Sequence, residues 1–198
     1  MASILNADIA GGLKATGDTS GVLQIQAGSV TVANIASSGV NAGIQVAPYA
    51  APTFMYNNAA GGQTFTGATD TKAQFITKNW DTANAFNATG STVTLNGLSV
   101  PAYSFCPPVA GYYQFNGMIQ LSTAAYTNCI DFFKNGSFDS NNGFRGVLGN
   151  NQGPSASAII YLNGTGDYVD LRVYVATTTT NQNQNGANWF SGAFIRSQ

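Results

Sequence analysis

The chain has 198 residues, a length that buries a full core without metals or many disulfides. Only 8% of the residues are charged and the net charge is −1, yet the chain holds 12 Phe, 9 Tyr and 2 Trp, a composition that separates it from charged, aromatic-poor disordered sequences. Seven Lys and Arg with no basic run exclude nucleic-acid or anionic-membrane partners, and no stretch approaches the ~20 apolar residues of a membrane-spanning helix.

The first residues, Met1 to Asp8, carry neither a basic region nor a long apolar run, so no signal peptide is expected and the product is made in a cytoplasm. Residues 1–51 form the first of two regions. Gly21-Val22-Leu23-Gln24-Ile25-Gln26 and Ser29-Val30-Thr31-Val32-Ala33 read as short strands broken by Gly and Ser. Alone, such a segment buries little apolar surface. It reads as an attachment arm or β stalk completed by copies of itself or by another protein, with Leu13, Val22, Leu23 and Ile25 as candidate attachment residues. A loosely ordered leader is the alternative. Ala47-Pro48-Tyr49-Ala50-Ala51-Pro52 marks the linker to the second region, residues 52–198.

From Thr53 onward aromatics become dense. Thr53-Phe54-Met55-Tyr56 and Gln74-Phe75-Ile76-Thr77 read as short strands. Tyr112 to Leu121 alternates, with Tyr113, Phe115, Ile119 and Leu121 on one face and Gln114, Asn116 and Gln120 on the other, the period of a half-buried strand. Cys129 to Lys134, Ala158 to Leu162, Val169 to Val175 and Trp189 to Ile195 complete the series. Asn-Gly pairs begin at Asn96, Asn116, Asn135, Asn142, Asn163 and Asn185 and favour the positive φ angles of hairpin turns; the pair at Asn116 lies inside a strand and points to a bulge. The tract from Thr177 to Asn188 is of low complexity and reads as an exposed loop. Within it Asn181, Gln182, Asn183, Gln184 and Asn185 form a candidate contact surface, or a solvated connector.

Catalytic chemistry finds little support. Histidine and glutamate are absent, which removes His-dependent nucleophile systems and His metal ligands. A paired-carboxylate hydrolase would need two of the eight aspartates in one cleft; Asp167 and Asp170 are near in sequence but sit on a turn and on the polar side of a strand. Asp139-Ser140-Asn141-Asn142-Gly143 fails as a calcium loop, because Gly143 holds the fifth position and Asn150 the twelfth. Neither cofactor nor metal is expected. Cys106 and Cys129 allow one disulfide, with two buried thiols as the other state.

Several segments, in order, resemble the C1q/TNF-like jelly-roll family. They are Pro52-Thr53-Phe54, then Phe105-Cys106-Pro107-Pro108-Val109-Ala110-Gly111-Tyr112-Tyr113-Gln114-Phe115, then Phe133-Lys134-Asn135-Gly136. Leu162 to Leu171, with Gly166-Asp167, and Phe190-Ser191-Gly192-Ala193-Phe194-Ile195 follow. The resemblance implies an all-β jelly-roll sandwich that forms homotrimers. Tyr113, Phe115 and Phe190 would then lie near a threefold axis or in the core of their own chain. Ile9 to Gln26 resembles the N-termini of bacteriophage, especially cyanophage-like, virion proteins.

Together these resemblances imply a trimeric fibre or capsid decoration protein in the virion, bound to capsid or tail through its N-terminal region. The exposed knob would contact host-surface glycans or receptors. The alternatives are a purely architectural cement protein and, more remotely, a glycan depolymerase.

Overall fold

The computed structural model describes residues 22–27, 30–36, 51–58, 62–122, 128–138, 153–182 and 186–198, with backbone alone for the first two segments. The chain divides into two compact units, residues 1–49 and 50–198. In the first, β1 (Val22–Ala27) and β2 (Val30–Ala36) form an antiparallel hairpin.

The second unit is all-β among its described residues. In chain order its strands are β3 (Thr53–Asn57), β4 (Thr64–Phe65), β5 (Thr69–Lys72), β6 (Thr77–Asp81), β7 (Val93–Leu95) and β8 (Leu98–Val100). Then come β9 (Gly111–Ile119), β10 (Asn128–Lys134), β11 (Ser137–Phe138), β12 (Ser155–Leu162), β13 (Val169–Val175), β14 (Thr179–Thr180) and β15 (Asn188–Arg196). A five-stranded sheet in the order β12-β9-β15-β3-β6 faces a three-stranded sheet in the order β11-β10-β13. The small ladders β14-β4 and β7-β8 complete the sandwich, and β5 lies beside β13, where the Ala73 amide donates to the Leu171 carbonyl at 2.9 Å.

Period-2 alternation builds the core. Along β9 every odd residue from Gly111 to Ile119 is buried and every even one is half-buried, because successive side chains leave a strand on opposite faces. Phe115 of β9 and Phe190 of β15 point inward from the large sheet and meet Phe132 of β10, and Phe54 of β3 packs against both of them. Phe86 and Phe105, which lie outside the named strands, stack on Phe54 at 5.3 and 4.3 Å between ring centroids. Offset and edge-on ring pairs of this kind contribute beyond the area they bury.

Two glycines are dictated by that packing. A Cβ on Gly192 would lie 2.6 Å from Phe54 Cε1, and one on Gly117 would lie 2.1 Å from Leu171 Cδ1. Gly117 therefore marks close sheet-to-sheet approach. The ladder runs through Asn116 and Gly117 without a register shift, so the bulge expected there is absent. Asn96-Gly97 and Asn135-Gly136 do turn hairpins, with φ of 52° and 77° in the first and 52° and 76° in the second, the signature of a two-residue primed turn.

Around residue 81 the chain is held by polar groups. Asp81 accepts from the amides of Ala85 and Phe86 at 2.9 Å each. The buried Asn87 side chain donates to the carbonyls of Ser91, Val100 and Pro101, which satisfies it away from water.

Candidate self-association surface

The outer face of the five-stranded sheet is built by the same alternation that builds the core. With Tyr113, Phe115, Phe190 and Gly192 turned inward, their neighbours Tyr112, Gln114, Asn116, Trp189, Ser191 and Ala193 turn outward. The ladders align these residues in rows across the strands. One row is Ser155, Met118, Trp189 and Asn57; the next is Ser157, Asn116, Ser191, Met55 and Trp80. A third is Ile159, Gln114, Ala193 and Thr53, and a fourth is Tyr161, Tyr112 and Arg196.

The first three rows carry no charged side chain. Ile159 is 53% exposed and Trp80 46%, large apolar groups left to water on a face whose other residues are mostly half-buried. The polar groups in the middle bond to one another: Gln114 Nε2 donates to Ser157 Oγ at 2.6 Å, and Ser157 Oγ donates to Asn116 Oδ1 at 2.9 Å. Groups already hydrogen-bonded within a face lose less when water is removed from it. At one border Arg196 lies over the Tyr112 ring at 4.8 Å, Tyr112 packs against Tyr161 at 5.4 Å, and the Lys134 ammonium lies 5.7 Å from the Tyr161 centroid. This face is uncharged in the middle and cationic at one rim.

The expected trimer-contact residues are corrected by this geometry. Tyr113, Phe115 and Phe190 are each 0% exposed in a single chain, so they present no surface to a second subunit. The Tyr113 hydroxyl donates to the Val109 carbonyl at 2.7 Å, and burial pushes its phenol well above the ordinary tyrosine range.

The remaining sequence candidates fall elsewhere. Leu13 lies outside the described residues, while Val22, Leu23 and Ile25 sit in β1. The Asn/Gln tract is not a free loop at its start. Thr179 and Thr180 pair with β4, Asn181 is buried with its Oδ1 accepting from the Gly62 amide, and the half-buried Gln182 donates its amide to the Gln120 carbonyl. Asn183, Gln184 and Asn185 lie outside the described residues, as does the Asp139–Gly143 segment.

The few charges of the domain concentrate at the other sheet, a feature the sequence did not reveal. Asp170, 0% exposed, receives Lys72 Nζ at 2.8 Å and Arg172 Nε at 2.7 Å. Lys72 also donates to the Ala102 carbonyl and to Ser104 Oγ, and Arg172 covers the Phe133 ring at 4.1 Å. Asp167 takes Lys134 at 2.9 Å, Asn135 Nδ2 at 2.8 Å and the Asn163 amide at 3.1 Å. Burial alone would raise the Asp167 pKa, but the bonds from Asn135, Lys134 and Asn163 and the Lys134 charge outweigh it and lower the value.

Both carboxylates are thus engaged in holding strands and turns. An Asp170→Ala variant leaves Lys72 and Arg172 facing each other without their shared anion. We expect a stability loss of about 3 kcal/mol, the low end for breaking a buried pair because both cations keep some water contact. Urea unfolding of Asp170→Ala against wild type checks this, and a midpoint unchanged at constant slope would reject it.

Cys106 and Cys129 are both buried. Burial, with the Asp167 charge nearby, pushes the Cys106 thiol up to about 11, so little reactive thiolate forms at neutral pH. In the native protein a colorimetric disulfide reagent is expected to label neither thiol at pH 7.5, and to label both in urea. Among the described residues no group of three or more Cys or Asp is placed to hold a metal ion, and no helix is long and apolar enough to cross a membrane.

No protein-family model matches the sequence, and no curated protein matches it significantly. Solved structures do match. Murine APRIL superposes with a TM-score of 0.51 at 10% identity over 73% of this chain and 98% of its own. The globular domain of zebrafish complement 1qA follows at 0.46, 16% identity, 75% and 99%. The PRD1 vertex protein P5 matches at 0.41, 15% identity, 74% and 96%. At this identity the likeness is one of fold: about three-quarters of the chain has the C1q/TNF-like jelly-roll fold.

Proposed function

We propose that the chain is a non-catalytic, homotrimeric virion structural protein, a fibre or capsid decoration whose jelly roll is held outward by its N-terminal region. The observation that carries the assembly reading is the outer face of the five-stranded sheet. It is a continuous, charge-free tract with exposed Ile159 and Trp80, and its central polar groups bond to one another. Exposed apolar tracts of this kind mark interaction sites. A second copy of the chain is its natural cover, since the resemblance to C1q/TNF-like domains implies three subunits around an axis.

The virion reading draws on the likeness of residues 9–26 to phage virion N-termini. The low charge and the Asn, Gln and Thr-rich surface suit weak, multivalent contact with neutral glycans. Anchoring of Asn181 and Gln182 into the fold reduces the free length of the tract expected to make that contact, and this favours the architectural alternative.

Light scattering of the full chain at micromolar concentration should return the mass of three chains; a clean monomer would count decisively against the proposal. Antibody-labelled electron microscopy of intact particles tests the location. Adsorption of particles lacking residues 52–198 tests host binding, and unchanged adsorption would leave only the architectural role.

A further inference from the structure

The β1–β2 hairpin has two chemically different faces. Its register pairs Leu23 with Ile35 and Ile25 with Ala33, while Gln24 pairs with Asn34 and Val22 with Ala36. Residues directly opposite on a ladder share a face, and successive residues alternate between faces. Positions 23, 25, 33 and 35 therefore form one wholly apolar stripe, and positions 24 and 34 carry amides on the reverse. The register shifts only beyond Ile25, so the stripe is unbroken across these four positions.

A two-stranded hairpin is marginal in water by itself. The hairpin persists only where something covers its stripe. The sequence narrows what that is. Between Asp18 and Asp70 there is not one Asp, Lys or Arg. Near the axis of a symmetric homo-oligomer each residue lies close to its own copies, so a charge there would meet like charge; a long charge-free segment is free of that penalty.

We propose that the Leu23/Ile25/Ala33/Ile35 stripe is a homotypic seam, covered by the same stripe of the other copies of this chain. The inference rests on the self-association reading and deepens it: the seam gives the N-terminal unit a trimer contact of its own, chemically separate from the outer face of the jelly roll.

Cysteine cross-linking of the full chain tests it, because the two native thiols are buried and leave a low background. Two variants, Ile25→Cys and Ala33→Cys, place a thiol in the stripe, and Gln24→Cys places one on the reverse face. A disulfide requires Cα atoms within about 7 Å. Mild oxidation should shift Ile25→Cys and Ala33→Cys chains to two-chain mobility on non-reducing gels, while Gln24→Cys stays at the wild-type background. The use of two seam positions guards against one of them disturbing the hairpin.

If the variants remain trimeric by light scattering and no stripe position links, or Gln24→Cys links equally well, the seam is wrong and the jelly-roll contact stands. Monomeric wild-type protein would overturn the self-association reading, and the seam with it.

Discussion

Replacing Phe190 with alanine is expected to lower the unfolding free energy by about 3–5 kcal/mol, the range for truncating a large aromatic in a packed core. Phe190 is 0% exposed. Its ring meets Phe54 edge-on at 4.9 Å, Phe132 nearly parallel at 5.7 Å, and Phe75, Phe86 and Phe115 at 5.8 to 5.9 Å. Those rings come from both sheets and from the chain on either side of β6, so the hole left by the substitution is walled by packed aromatic rings. Collapse is further limited because Gly192, two residues on, already lets Phe54 and Phe115 approach to van der Waals limits.

The expected result is a large fall in the urea midpoint, with the remaining folded fraction keeping its wild-type mass by light scattering. A well-folded monomer of Phe190→Ala would show instead that Phe190 sits at a subunit contact.

That contrast shows what the sequence could and could not convey. The alternation from Tyr112 to Leu121 is legible as a half-buried strand, and β9 has that pattern. The resemblance to C1q/TNF-like domains likewise anticipated the fold. Alternation, however, defines two faces without saying which one belongs to a neighbouring subunit. Tyr112 and Tyr113, or Trp189 and Phe190, are equally aromatic neighbours on opposite faces. The residue chosen from such a pair reverses with a one-residue step.

The stretch from residue 57 to 101 was opaque for another reason. Its strands are two to five residues long, and β6 is exposed at four of its five positions, so little periodic signal exists to read; the strand expected at Gln74–Thr77 begins only at Thr77. What orders this stretch is polar side-chain bonding: the Asp81 carboxylate on two amides, Asn87 on three carbonyls, and Lys72 reaching Asp170. The first two are local but follow no strand or helix period, and the last joins residues far apart in the chain, so none leaves a periodic mark. The β14 ladder was missed likewise, because a Thr run next to an Asn/Gln tract resembles a solvated connector until β4 is seen beside it.

The outer face carries the second large effect. Ala193 lies at its centre, between Thr53 and Gln114 in neighbouring strands, and Ile159 lies two strands away in the same row. In an isolated subunit both side chains meet water, so Ala193→Arg or Ile159→Asp should change subunit stability by no more than about 0.5 kcal/mol, as for ordinary surface positions. In a trimer covered on this face, the same substitution buries a charge with no counter-charge in the three central rows. An unpaired buried charge costs about 3–5 kcal/mol, and each 1.4 kcal/mol is about tenfold in an equilibrium constant. Because symmetry repeats the change in every subunit, assembly should weaken by at least about 10²-fold per contact.

Either variant is therefore expected to run as a folded monomer at micromolar concentration, with the circular dichroism of the wild type. Phe138→Asp, an exposed position on the opposite sheet, serves as the control and should stay trimeric. If Ala193→Arg and Ile159→Asp both keep the trimer mass, a contact other than this face, such as the N-terminal seam, holds the trimer. The exposed apolar rows would then need another cover, and a different partner protein would replace the second copy of this chain as the occupant of that face.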